Sequence, residues 1–450
     1  IPSSLGAMAF AENPQQATFT WRASQGFEAN NTTLVGVSYQ RKLGENLENT
    51  TSLFYNYLDK TEARFFGILE EITKTFGFRT RFVGTFNFLG KSSQYTLGAE
   101  LFKDEYDWDE FQNLYQENNG NGSLKGEQFA RNKEFRTQWN TFGTILVPFT
   151  DTFSMQWGLN LNNTNYNFQD QFNLGAANKS AQRQFKTIVL PSINFNYQSS
   201  ENQKYYANIS RGFSNPSLEE TLTPDGVINP DIKQEIGVNY ELGTSLFLND
   251  KKLHINATIY QMNVKNLLVA ERVNEDQLIG KNAGKTRHSG LELALNYRLK
   301  LSENLELQPF LNYTFNAHKF VAFIDEDEDF SGNDLTGVPK QFITTGLQIR
   351  WFEHFYWNIT HQYVDAIPLT DANTISSDSF NVYGMRMGYQ KKLSSAFTLG
   401  IDFGINNLFD ITYAQSVLIN TQGFGGNEPR YFYPGNPRNY YGSLRLGYRL

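Results

Sequence analysis

Phe153-Ser-Met-Gln-Trp-Gly-Leu-Asn-Leu-Asn162 is the stretch whose reading decides the fold. Phe153, Met155, Trp157, Leu159 and Leu161 are apolar, while Ser154, Gln156, Gly158, Asn160 and Asn162 between them are small or polar. Side chains on a strand alternate between faces, so a period of two gives one oily face and one polar face. The alternation returns over 291–300, 305–316 and 397–406, with Leu293 and Phe403 on the oily side. These runs last 10 to 14 residues, whereas strands of soluble proteins usually have about 5 or 6. Aromatics crowd their ends, with Trp351 and Trp357 flanking one turn and Tyr440, Tyr441 and Tyr448 bracketing the last run. Membrane barrels carry such girdles at both interfaces.

The connections agree. Short polar turns are expected near 44–46, 90–91, 150–151, 199–202, 249–250, 302–303, 353–354 and 394–395. Long polar connections alternate with them, near 59–76, 104–132, 166–185, 214–232, 267–285, 319–340, 366–379 and 411–438. Two strands, one tight turn and one long loop make a unit of about 50 residues. Long loops all at one end are the asymmetry of a transmembrane barrel. The reading is all-β: a transmembrane antiparallel up-and-down β-barrel over 32–450, with 17 strands from 32–42 to 440–450. Residues 1–31 read as an outer-loop segment, with an eighteenth strand over 17–24. An open sheet edge in lipid leaves backbone groups unsatisfied. Either the first segment pairs with the last strand or the chain lacks its beginning, and the second is favoured.

Composition removes other classes. The chain has 450 residues, with 39 Lys and Arg against 46 Asp and Glu, a net charge of −7. That excludes a nucleic-acid binder working through a basic surface. With no cysteine there are no disulfides, thiolate metal sites or cysteine nucleophiles. Aromatics make up 15% of the chain, yet only 40% is apolar and no strictly apolar run exceeds five residues. A membrane-crossing helix needs about 20, so helical spans are excluded. No charged segment followed by an apolar one opens the chain as a signal peptide would.

Motifs that look chemical fail on context. Gly280-Lys-Asn-Ala-Gly284-Lys-Thr286 has three residues between its glycines, where a phosphate loop needs four, and leads into a strand rather than a helix. Asp325, Asp327 and Asp329 alternate as in a calcium loop, but Phe330 stands where the turn needs Gly. No nucleophile elbow, zinc-protease helix or dinucleotide turn is present. Neither an enzyme, a cofactor nor a resident metal is expected. The five histidines, His254, His288, His318, His354 and His361, read as lumen or interface residues.

Several segments resemble one family, the C-terminal β-barrel of TonB-dependent outer-membrane receptors. They are Ser210-Arg-Gly-Phe-Ser-Asn-Pro-Ser-Leu-Glu-Glu220, Asn229-Pro-Asp with Tyr240-Glu-Leu-Gly243, Asn282-Ala-Gly-Lys-Thr286 with Gly290-Leu-Glu292, and Asp329-Phe-Ser-Gly-Asn-Asp-Leu-Thr-Gly-Val-Pro339. Most specific are Asn406-Asn-Leu-Phe-Asp410 with Tyr413 and Arg430-Tyr-Phe-Tyr-Pro-Gly-Asn-Pro-Arg438. Residues 1–17 resemble an outer-loop segment of the ferric-siderophore branch, ferric citrate receptors included. The resemblance implies a barrel of roughly 22 strands around an N-terminal plug. The 17 or 18 strands here would be its last, with the remaining strands, the plug and the TonB box outside this sequence. Leu450 ends the chain where the family usually has an aromatic.

The resemblance further implies uptake of a scarce ferric chelate by outer loops and inner wall, energised through TonB. Partners would be a ferric siderophore, the TonB complex and outer-membrane lipid and lipopolysaccharide, not nucleic acid. Anionic chelates need cations, hydrogen-bond donors and aromatic faces. The candidates are Arg211 at an upper strand end, and Arg272, Lys281, Lys285, Arg287 and His288 in one loop and the strand after it. The last loop adds Gln415, Asn420, Arg430, Tyr431 and Arg438, beside Phe432 and Tyr433. Alternatives are uptake of cobalamin, haem or an oligosaccharide, a passive porin, or a soluble adhesin-like sandwich.

Overall fold

The computed structural model describes residues 3–217, 221, 229, 231–274, 277–282, 284–325, 328–423, 426 and 428–449. Asp327, Leu450 and the side chains of Arg272 and Asp325 lie outside the described residues.

One 19-stranded antiparallel sheet dominates. Two of its members, Ala181–Gln184 and Leu299–Ser302, are short pieces running along the same neighbours as the longer strands Ile188–Ser200 and Lys285–Tyr297. That leaves the 17 strands expected from the sequence. They are β1 (Phe27–Lys42), β2 (Leu47–Arg64), β3 (Gly67–Phe88), β4 (Lys91–Asn113), β5 (Lys125–Pro148), β6 (Phe153–Asp170), β7 (Ile188–Ser200), β8 (Gln203–Ser214) and β9 (Glu235–Leu248). They continue with β10 (Leu253–Lys265), β11 (Lys285–Tyr297), β12 (Leu305–Ala322), β13 (Gln341–Trp351), β14 (Phe355–Val364), β15 (Phe380–Lys392), β16 (Phe397–Asn406) and β17 (Asn439–Tyr448). Each pairs with the next in sequence, which is the up-and-down barrel order. Among the described residues β1 and β17 are not paired with each other, and β1 is exposed along its whole length.

Register sorts the side chains. Directly paired residues share a face, so Ala207, Leu242, Ile259, Leu291 and Phe315 form one outward row. Leu347, Ile359, Met385, Ile405 and Tyr440 form another. These faces are not packed into a dry core: Trp157 is 37% exposed, Phe403 43% and Ile259 54%. A soluble sandwich would bury them, at about 25 cal/mol per Å². The opposite face is polar, with Gln348, Asn358 and Arg386 in one row.

On the polar face several aromatics lie over a glycine directly opposite: Phe54 over Gly77, Tyr206 over Gly243, Tyr260 over Gly290, Phe310 over Gly346, Tyr356 over Gly388 and Tyr441 over Gly404. A ring covering a neighbouring glycine's bare backbone fixes register and permits curvature.

The short turns fall where expected. Leu89 and Gly90, both at positive φ, close the two-residue turn between β3 and β4. Two of the long connections do not exist as such. Residues 59–76 are the ends of β2 and β3 joined by Phe65 and Phe66, and the 104–132 loop shrinks to 114–124. The strands β3, β4 and β5 have 22, 23 and 24 residues, whereas about 9–11 cross a membrane. Their outward apolar rows end at Leu101 paired with Trp139. Beyond it charged residues enter the outward face, which erases the apolar alternation there. Outward ion pairs hold this extension: Glu105 meets Lys74 at 3.3 Å and Lys133 at 2.5 Å.

Residues 17–24 are not a strand. Phe19–Ser24 is a helical turn whose Trp21 packs edge-on against Phe65 at 5.4 Å. With no strand alongside it there is no ladder for an extended segment to join. A second short helix, Ala7–Glu12, puts Phe10 on Phe432 at 5.0 Å, and Leu5 exchanges backbone hydrogen bonds with Phe432.

Candidate ligand-binding site

Above the apolar rows, the inward face of β2–β5 carries a cavity of about 450 Å³. Its back is aromatic. Tyr106 and Trp108, two apart on β4, lie 4.6 Å between centroids, and Phe168 of β6 is 5.8 Å from Trp108. Trp108 and Phe168 are buried, at 8% and 4% exposed. Register places Tyr106, Glu134 and Phe168 in one cross-strand row and Asp104, Arg136 and Tyr166 in the next. Arg136 donates to Asp104 at 3.1 Å, and Arg64 lines the same cavity. Glu134 is 8% exposed. Burial pushes its carboxyl up to about 7, against the pull of Arg136. It stands above the row that ends at Leu101 and Trp139, outside the membrane-crossing part of β5. The arrangement offers a flat π surface, a guanidinium and a carboxyl that changes charge near neutrality, which suits a chelator with aromatic and anionic parts.

None of these residues was a sequence candidate; Arg64, Asp104, Tyr106, Trp108, Tyr166 and Phe168 lie in stretches that read as long connections, 59–76, 104–132 and 166–185. The signal was there: Asp104, Tyr106, Trp108 and Glu110 keep a period of two while the apolar face is missing.

The structure separates the sequence candidates. Arg287 and His288 are adjacent on β11 and project from opposite faces. Thr286 and His288 share the inner face, joined at 2.8 Å. Arg287 and Lys285 therefore face outward, and Arg211 shares that face through the row Arg211–Val238–Asn263–Arg287. His288 faces inward, directly opposite His318, with ring centroids 4.7 Å apart. The Tyr260 hydroxyl lies 3.1 Å from His318 Nε2. Gly280–Asn282 ends a short strand, Gln277–Asn282, and Lys285 and Thr286 open β11, a strand and not a helix.

The last-loop candidates divide between clamps and lining. Asn420 bonds Asp371 twice, from its amide to Oδ2 at 3.0 Å and through Oδ1 to the Asp371 N–H at 3.1 Å. Asn333 donates to the Asp371 carbonyl at 2.8 Å. Asp371, 8% exposed, thus ties three loops together. Tyr431 is buried, its hydroxyl 3.5 Å from the Thr421 carbonyl. Arg438 pairs with Asp410 at 3.6 Å, and its N–H donates to Asp410 at 2.7 Å. Asn407, at positive φ, bonds the Ile411 and Asn436 carbonyls at 2.8 and 3.1 Å. The 406–410 and 430–438 signatures are in large part the clip closing this loop. Gln415 is exposed and lines a polar cleft of about 360 Å³ with Tyr413 and Asn436. Arg430 is half-buried in the same loop.

Comparison with known proteins gives a consistent result. Residues 3–408 match the family model described as TonB dependent receptor-like, beta-barrel. The metal-pseudopaline receptor of Pseudomonas aeruginosa is 25% identical over 289 residues, covering 62% of this chain and 36% of that protein. The ferrichrome outer membrane transporter/phage receptor of Escherichia coli K12 is 23% identical over 220 residues, covering 47% and 28%. Among solved structures, the unliganded ferric citrate transporter superposes with a TM-score of 0.80 at 16% identity, covering 99% of this chain and 65% of that one. The siderophore receptor PiuA from Acinetobacter baumannii gives 0.72 at 15% identity, covering 94% and 65%. The chain thus spans about a third of the curated relatives' length.

Proposed function

Because the chain belongs to the TonB dependent receptor-like β-barrel family, and is therefore an outer-membrane β-barrel protein, we propose that it takes up a ferric siderophore-type ligand with energy supplied through TonB. The observation that carries this reading is the inward pocket of Tyr106, Trp108 and Arg136, backed by Phe168, at the loop end of the wall. Similar proteins, a siderophore receptor and a ferric citrate transporter among them, support the ligand class. Ferric citrate is one candidate; its anionic oxygens suit Arg136 and Arg64. His288, Gln415 and Arg430 complete the proposed ligand-facing set, and Tyr431 and Arg438 hold the last loop in place beside it. Lipid and lipopolysaccharide would surround the outer face. Transport needs a plug to gate so wide a lumen, and the TonB complex would act on that plug.

A second reading, haem uptake, is favoured by one observation. His288 and His318 are paired on the inner face, and imidazole is a common ligand of haem iron. A Haemophilus influenzae relative at 26% identity over 218 residues is named a heme/hemopexin utilization protein.

The test is growth of an iron-limited host on a panel of ferric chelates and haem, with Trp108→Ala and Arg136→Ala variants of the full-length receptor. The expected outcome is rescue by at least one ferric siderophore, with apparent affinity weakened about tenfold in each variant, roughly 1.4 kcal/mol. Rescue by haem alone, lost in His288→Ala and unaffected by Trp108→Ala, would transfer the assignment to the second reading. Growth on every small solute without selectivity would point to a pore.

A further inference from the structure

One row of the inner face runs Ser192–Ser210–Asn239–Met262–His288–His318 across β7 to β12. It ends in a thioether and two imidazoles and carries no carboxylate. The row two residues nearer the loops, about 7 Å away, holds Val264, Thr286 and Phe320, all buried. The row on the other side holds Tyr260, Gly290 and Asn316. Met262 and the two histidines therefore sit between a dry roof and a hydrogen-bonded floor.

The floor decides which nitrogen is free. Asn316 Nδ2 donates to the Pro339 carbonyl at 3.0 Å, so its Oδ1 is an acceptor, and it takes the Tyr260 hydroxyl proton at 3.1 Å. A hydroxyl has one proton to give. Tyr260 must therefore accept from His318 Nε2–H, 3.1 Å away. His318 Nδ1 is left with a bare lone pair, buried and, among the described residues, without a hydrogen-bond partner. Such an orphaned acceptor costs stability. One ring nitrogen anchored and the other open is the form in which histidine binds a metal. Thr286 Oγ1, 2.8 Å from His288 Nε2, can hold the second ring in the same way. The two ring centroids are 4.7 Å apart. Imidazoles bound side by side to one ion, at about 2 Å per nitrogen, stand with their centres about 5 Å apart.

We infer that His288 and His318, with Met262, form a binding site for a cuprous ion. Imidazole alone serves zinc, nickel or copper; a thioether beside it, with no carboxylate in the row, selects the soft monovalent ion. The Met262 sulfur lies over Gly237 on β9, and a rotamer change of this flexible side chain carries it to the imidazole directly opposite. The site goes beyond the ferric-chelate reading and shares no residue with the pocket of Trp108 and Arg136. It uses the histidine pair of the haem reading, so one test sets the two against each other.

The experiment titrates the full-length receptor, purified in detergent and kept anaerobic, with cuprous ion held by bicinchoninate, and separately with zinc ion and with haem. The receptor should take one cuprous ion from the chelator. Met262→Leu, which keeps the side chain's bulk, should weaken that binding about tenfold or more and leave zinc binding unchanged. His318→Ala should abolish it, and Trp108→Ala should not alter it. X-ray absorption at the copper edge should show nitrogen and sulfur neighbours, with the sulfur lost in Met262→Leu. Copper left with the chelator, copper retained in His318→Ala, or a spectrum without sulfur would overturn the site. Haem bound through His288 while copper is not would overturn it in favour of the second reading. Heat-modifiable gel migration checks that each variant is folded; if His318→Ala is not, Met262→Leu and the absorption spectrum decide. Growth on ferric chelates should be unaffected by Met262→Leu, so failure of the copper site leaves that reading standing.

Discussion

Glu134 is the residue whose chemistry the wall has altered most visibly. Its carboxyl lies between Tyr106 and Phe168 on neighbouring strands, and burial holds its proton up to about pH 7. The raised value means the folded state binds this proton more tightly than the unfolded chain. Its contribution to stability is therefore full below the ordinary carboxyl range and is lost as pH rises toward 7. The same ionisation adds a negative charge to the pocket beside Asp104. Affinity for an anionic ferric chelate should fall between pH 6 and pH 8, and Glu134→Gln should flatten that profile. Binding titrations by Trp fluorescence across this range check it; an unchanged slope in the variant would remove Glu134 from the site. Single residues were the least legible scale in the sequence. Arg287 and His288 stand side by side in the chain, and only register shows that one faces lipid and the other the lumen.

Strands were largely legible, because period two survives wherever one face meets hydrocarbon. The stretch 153–162 and its counterparts at 305–316 and 397–406 fall within strands, and 291–300 does so up to Tyr297, with a break at Arg298. Legibility failed where that contrast disappears. Above Leu101 and Trp139 charged residues such as Lys74, Glu105 and Lys133 enter the outward face of β3–β5, so the apolar period is lost and the strands read as loops. At 17–24 the reverse happened: Ala17, Phe19 and Trp21 alternate by chance in a segment with no neighbouring strand to pair with. The glycine–aromatic pairs give this scale its test. A side chain on Gly346 would enter the Phe310 ring and press on the Ile359 carbonyl. Gly346→Val should lower barrel stability by about 1–3 kcal/mol, with partial recovery in Gly346→Val/Phe310→Ala. Temperature-dependent gel migration in detergent reads this, and a Gly346→Val barrel as stable as the parent would refute the pairing's role.

At the level of the whole molecule, one sheet divides space into two solvents. Its outward rows need a medium without water, and its inward face, where Arg386, Tyr356 and Ser443 all bond Asp402, needs a wet or protein-filled lumen. The proposed site of ligand capture lies on the inward side of that division. The chain contains no cysteine, so single cysteines at each position from 153 to 162 can be spin-labelled in the full-length receptor reconstituted in bilayers. Accessibility to oxygen, which concentrates in hydrocarbon, should peak at 155, 157, 159 and 161, and accessibility to a water-soluble nickel chelate at the positions between. A flat oxygen profile, or one peaking at 156, 158 and 160, would contradict the account.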